Sequence, residues 1–183
     1  STTDLQWISS GGNLTLNGFT LNSAGSFNTN GDGTLTMNSA LDSLIAPSAG
    51  FDGGAETGRL TAGTILVNGN FSVGATANAF DASGAHRTVL TSGPVGTAVV
   101  DFPATPAPAS RFAQLEIQRS VAINGNAGVA GNALLWYGGA IQGAGRLAIA
   151  GDFTGVTGSS VTINALEVGG VFDAAWHAGV TSP

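Results

Sequence analysis

The sequence predicts an all-β fold, a β-solenoid of the parallel β-helix kind, with a β-sandwich as the alternative. Three observations lead there. Short runs alternate apolar and small or polar residues with a period of two. Asn-Gly pairs separate those runs. A weak repeat links distant parts of the chain: Ile65-Leu66-Val67-Asn68-Gly69-Asn70-Phe71 matches Leu147-Ala148-Ile149-Ala150-Gly151-Asp152-Phe153, and Leu14 to Phe19 is a shorter relative. A strand, a tight corner and an inward aromatic account for that pattern, repeated in coils that cover each other's apolar faces. At roughly 20 to 25 residues per coil, the chain makes about seven to nine coils.

The alternating runs are Leu14-Thr15-Leu16, Leu35-Thr36-Met37, Leu115-Glu116-Ile117, Val121-Ala122-Ile123, Leu147-Ala148-Ile149, Val161-Thr162-Ile163 and Leu166-Glu167-Val168. Turns are expected at Asn17-Gly18, Asn30-Gly31, Asn68-Gly69 and Asn124-Gly125, because both residue types tolerate positive φ. Helix is expected only as a turn or two over Ser39 to Ala46, before Pro47, and as a short turn over 172–178. Residues 46–58 and 103–110 read as loop excursions from a single domain covering 1–183. The prolines of the second stretch cannot donate to a strand ladder.

Composition fits this picture. Charged residues make up 9% of the chain against 43% hydrophobic, the reverse of a disordered sequence. There are 29 glycines, without the every-third-residue period of collagen. No apolar run approaches the roughly 20 residues of a membrane-spanning helix. The five cations are scattered arginines in a chain of net charge -6, which argues against nucleic acid and anionic membranes as partners. No cysteine is present, so disulfides and thiolate metal sites are excluded. The chain opens Ser-Thr-Thr-Asp, which suggests processing or excision from a longer polypeptide.

Catalytic signatures are weak, and a non-enzymatic role without cofactors is expected. A Ser-His-Asp site has only His86, near Asp81, or His177, near Asp173, to draw on, and Gly-x-Ser-x-Gly does not occur. A structural role is the reading for both histidines. A phosphate loop lacks its lysine, and zinc lacks enough ligands. Calcium has one candidate, Asn28, Asn30 and Asp32, with oxygen side chains at alternate positions before Gly33; Ser39 stands where a bidentate Glu belongs, and an ordinary Asn/Asp/Gly turn between strands is the favoured reading. Asp32, Asp52, Asp81, Asp101, Asp152 and Asp173 supply carboxylates for a glycan-cleaving pair, but pairing them requires the coil register, and most sit next to Gly or at strand ends where Asp makes turns.

Surface contact has its own candidates. Trp136 and Tyr137 end the run Leu134-Leu135-Trp136-Tyr137, and one of them must face outward if the run is a strand. Trp7 and Trp176 are further aromatics for stacking on sugars. Thr34-Leu35-Thr36 is the one clean Thr-x-Thr unit, the pattern of an ice-binding face.

Residues 58 to 173 resemble the β-solenoid repeat regions of long bacterial surface and secreted proteins of the adhesin type. The resemblance rests on His86-Arg87-Thr88-Val89-Leu90 and Ser110-Arg111-Phe112-Ala113-Gln114-Leu115-Glu116-Ile117; Gly12-Asn13-Leu14-Thr15-Leu16-Asn17-Gly18 is similar to filamentous adhesin repeats. It implies an extracellular or cell-surface setting and carries over no catalytic residue. The expected function is a structural or adhesive module, able to stack end to end with another copy or an adjoining domain. The alternatives are a carbohydrate-binding or polysaccharide-degrading β-helix, with surface glycans as partners, and ice binding.

Overall fold

A computed structural model describes residues 5–9, 11–93, 96–103 and 110–174. It is all-β, a parallel β-solenoid of about seven turns. The strands follow in chain order. β1 (Leu5–Ser9), β2 (Asn13–Thr15) and β3 (Thr20–Asn22) are followed by β4 (Phe27–Gly31), β5 (Thr34–Thr36) and β6 (Ser43–Ala46). Next come β7 (Ala49–Asp52) and β8 (Thr64–Val67), β9 (Phe71–Val73) and β10 (Arg87–Leu90), then β11 (Ala98–Asp101) and β12 (Gln114–Ile117). β13 (Ser120–Asn124), β14 (Asn126–Val129) and β15 (Ala133–Leu135) precede β16 (Ala140–Ile149), β17 (Phe153–Gly155), β18 (Ser160–Val168) and β19 (Phe172–Ala174).

Each turn of the chain visits three faces. The first carries β1, β4, β7, β9, β11, β13 and the opening halves of β16 and β18. The third carries β3, β6, β8, β10, β12, β15, β17 and β19. The second begins as β2 and β5, thins to single bridges at Leu60, Ala82 and Phe112, and widens again into β14 and the closing halves of β16 and β18. Every strand pairing among the described residues is parallel, which the antiparallel β-sandwich alternative does not allow. No helix among them is long and apolar enough to cross a membrane.

The turns differ in length. Phe27 pairs with Ala49 and Ala49 with Phe71, steps of 22 residues. The next step, Phe71 to Val100, is 29 residues, and the steps Ser120 to Ala140 to Ser160 are 20. The short steps are possible because β16 and β18 round a corner without a loop. Gly143 permits this in β16: its φ is +114, and a Cβ there would meet the Ile123 carbonyl oxygen at 2.5 Å.

Alternation places Leu, Ile, Val and Phe inside. Leu21, Leu44, Ile65, Thr88, Leu115, Ala133, Phe153 and Phe172 form one column on the third face. The middle turns are filled by phenylalanines. Phe71 lies 4.9 to 5.6 Å, centroid to centroid, from Phe51, Phe80 and Phe112, all fully buried. Such aromatic pairs contribute beyond the area they bury. They also fill the wider cross-section of the longest turn, where the second face has only single bridges.

Several local expectations are corrected. Ser39 to Ala46 is not helical: a turn closed by Asp42 N–H on the Ser39 carbonyl (3.0 Å) leads into β6. Asp42 holds that corner, accepting from Gly18 N (2.5 Å), Asn38 N (2.8 Å) and Ser39 N (2.9 Å). The loop expected over 46–58 contains β7, whose residues Ala49 and Phe51 point inward; within it 47–48 and 53–58 lie outside the strands. Phe172–Ala174 is strand rather than a helical turn, and 175–178 lie outside the described residues. Of the 103–110 excursion, residues 104–109 also lie outside them.

Candidate functional site

Among the described residues, the outer surface of the third face carries a constellation that joins charged and aromatic side chains across turns. Glu116 projects outward from β12, in register with Val89 before it and Leu134 after it. Its carboxylate is only 11% exposed because neighbours from both adjacent turns close over it. Arg87 Nη1, one turn earlier, lies 3.2 Å from Oε2. Trp136, one turn later, donates its indole N–H to Oε1 at 2.5 Å, and Gln118 Nε2 donates to the same oxygen at 2.6 Å. A buried carboxylate requires such charged and hydrogen-bonded partners.

Trp136 and Tyr137 do not divide into an inward and an outward residue. β15 stops at Leu135, and both aromatics lie in the turn closed by Gly139 N–H on the Trp136 carbonyl (2.9 Å). Trp136 is 44% and Tyr137 75% exposed. Tyr137 rests on Gly158, one turn on, where a Cβ would meet the ring at 3.0 Å. A shallow groove of about 310 Å³ shares Glu116 with this corner; it is lined by Gln114, Glu116, Asn132, Leu134, Asp152 and Thr154, among others, and by neither aromatic.

The other candidates are dispersed. Asn28 and Asn30 both point out from β4, and Asp32 lies within the turn that Gly33 N–H closes on the Asn30 carbonyl (3.0 Å). These are one strand flank and one corner. Among the described residues no three His, Cys, Asp or Glu side chains gather as a metal site. Thr34 and Thr36 share a face, but both hydroxyls donate to Asn13 Oδ1, at 3.0 and 2.9 Å. Asp81 faces Arg111 (3.4 Å) and accepts from Thr57 (3.0 Å) rather than serving a histidine. Asp152 accepts from Val171 N–H at 2.8 Å. Trp176 and His177 lie outside the described residues, as does the side chain of Trp7.

His86 and Glu56 are buried within the coil. His86 is fully enclosed, with its ring edge-on to Phe80 at 6.1 Å and no hydrogen-bond partner on either nitrogen. Burial lowers its pKa to about 4, so the imidazole is neutral. Glu56 Oε1 accepts from Leu35 N–H at 2.8 Å, standing in for a backbone carbonyl where the second face lacks a strand. Burial raises its pKa to about 8, against the opposing effects of the Leu35 N–H and Arg59. On the second face, an exposed pair joins Arg146 Nε to Glu167 Oε1 at 2.7 Å; this hydrogen bond holds the Glu167 carboxyl below its ordinary range.

Sequence reasoning found Trp136 and Tyr137 but missed Arg87, Glu116 and Gln118. The alternation of Leu115-Glu116-Ile117 placed Glu116 outward. Its partners stand 29 residues before and 20 after, so only the unequal turn lengths bring them together. Comparison of the chain with protein-family models, curated proteins and solved structures yields no match in any of the three.

Proposed function

We propose that this chain is a non-catalytic structural or adhesive module of the bacterial exterior: a rigid rod that holds contact residues on its flank and pairs at its ends. The observation that carries the reading is the continuity of the coil. Turn after turn repeats one parallel ladder around one apolar interior, with the strongly shifted ionisable groups, His86 and Glu56, enclosed within it. Such a quasi-one-dimensional stack suits a spacer or scaffold, because each turn is supported by its neighbours.

The last described layer supports end-to-end pairing. Phe172 stacks on Phe153 at 5.5 Å and 15°, continuing the interior column, yet is 45% exposed. Ile163, Leu166 and Val168 are only partly buried. A further turn, from a second copy or an adjoining domain, would cover these side chains and extend the ladder. Negative-stain electron microscopy of the purified chain tests this. Rods of variable length, longer at higher concentration, are the expected result; single-length particles at every concentration overturn end-to-end pairing.

A further inference from the structure

We propose that the Trp136–Tyr137 corner, with the groove beside it, is a binding site for a neutral, hydroxyl-rich glycan chain; this gives the adhesive reading above its ligand and rests on it. Three features converge there.

The aromatics are fixed before any ligand arrives. Trp136 is tied through its N–H to Glu116, and Glu116 is held by Arg87 and Gln118. Tyr137 lies against Gly158, which has no side chain to lift it. Aromatic rings exposed in fixed orientations present an apolar plane at low entropic cost, and sugar C–H faces need such a plane.

The groove supplies the polar half of the recognition. Gln114, Asn132, Asp152 and Thr154 line it, together with the edge of Glu116, while Leu134 provides apolar surface. Amides, a hydroxyl and carboxylates match the mixed donor and acceptor character of sugar hydroxyls. These residues come from three successive turns, so the groove runs along the rod for about 10 Å at the usual strand spacing. An elongated chain lies along it more readily than a compact ligand.

Charge selects among glycans. Arg87 is the one cation lining the groove, and Glu116 already neutralises it. With Asp152 alongside and a net charge of -6, an anionic polysaccharide meets repulsion. The apolar corner formed by Phe19 and Leu41, both more than two-thirds exposed, is a poorer candidate, because nothing in the structure shows what covers it.

The test is native affinity electrophoresis of the full chain in gels containing soluble mannan, a mixed-linkage β-glucan, arabinoxylan or dextran. At least one is expected to retard the protein. Trp136→Ala and Tyr137→Ala should each weaken that retention about tenfold or more, as truncation of an aromatic anchor does. Leu41→Ala should leave it unchanged, and Trp136→Phe, which keeps a ring but loses the tether, should fall between. Tyr137 is exposed enough that its variant folds, which a melting curve checks. Retardation by none of the four, or equal retardation of every variant, overturns the proposal. Rods that assemble end to end without binding these polysaccharides remove this inference alone. Binding at Trp136 by particles that never assemble removes only the end-to-end pairing.

Discussion

Trp136 and Glu116 meet across adjacent turns of the coil, the indole N–H donating to a carboxylate oxygen at 2.5 Å. This contact converts a surface aromatic into part of the frame. Glu116→Ala leaves Arg87, Gln118 and the indole without their shared acceptor. Loss of hydrogen bonds to a charged, mostly buried group costs about 1.5–3 kcal/mol. For a chain of this size that lowers Tm by roughly 3–12 °C. Glu116→Gln retains an acceptor for the indole and should lose less. Calorimetric melting of the three proteins checks the order; an unchanged Tm in Glu116→Ala contradicts the assigned role.

The two buried ionisable groups give stability a defined pH profile. His86 titrates near 4 when folded and near 6.5 when unfolded, so its contribution is present above pH 6.5 and is lost as pH falls to about 4. Glu56 keeps its proton to about 8 when folded but releases it near 4.5 when unfolded, so its contribution is complete below pH 4.5 and declines as pH rises to about 8. The slopes oppose each other between 4.5 and 6.5. Urea midpoints should therefore be nearly flat there and fall on both sides. Glu56→Gln should remove the decline above pH 6.5 while leaving the acid limb. A wild-type midpoint that rises from pH 6.5 to 8 refutes the burial argument for Glu56.

Much of the fold was legible because period-two alternation and corner chemistry are local. Gly18, Gly31 and Gly125 do adopt positive φ at expected Asn-Gly turns. The repeat was legible too, but its phase was not. Ile65–Val67 lies on the third face and turns into Phe71 on the first, whereas Leu147–Ile149 lies on the second and turns into Phe153 on the third. The motif thus marks a strand-corner-strand unit, not one position in the coil. Register across steps of 18 to 29 residues between paired strands depends on loop lengths, and no local pattern encodes those. The same ignorance hid the partners of Glu116. Ser39 to Ala46 misled because its apolar spacing suits a helical turn; the Asp42 carboxylate bonds to three backbone amides and fixes a corner instead.

Phe71 and Phe19 separate core packing from surface aromatics. Phe71 is wholly buried among other phenylalanines, and Phe19 is 70% exposed. Phe71→Ala should cost about 3–5 kcal/mol through lost burial and the cavity left behind. Phe19→Ala should stay within about 0.5 kcal/mol of the parent. Urea unfolding monitored by circular dichroism distinguishes them. Comparable losses in the two variants contradict the assignment of the interior.

Gly158 links backbone strain to the proposed contact surface. Its φ is +84, where a side chain is strained, and a Cβ would press the Tyr137 ring at 3.0 Å. Gly158→Ala should therefore act twice. The strained backbone costs about 1 kcal/mol or more, and the ring must shift off its seat. Because Tyr137 is largely exposed, that shift itself removes little buried area, so melting should report mainly the backbone cost. Polysaccharide retention should instead report the displaced ring and weaken further than the small loss of stability explains. A variant with lowered Tm but parental retention places Tyr137 outside the contact surface; one with parental Tm removes the backbone constraint.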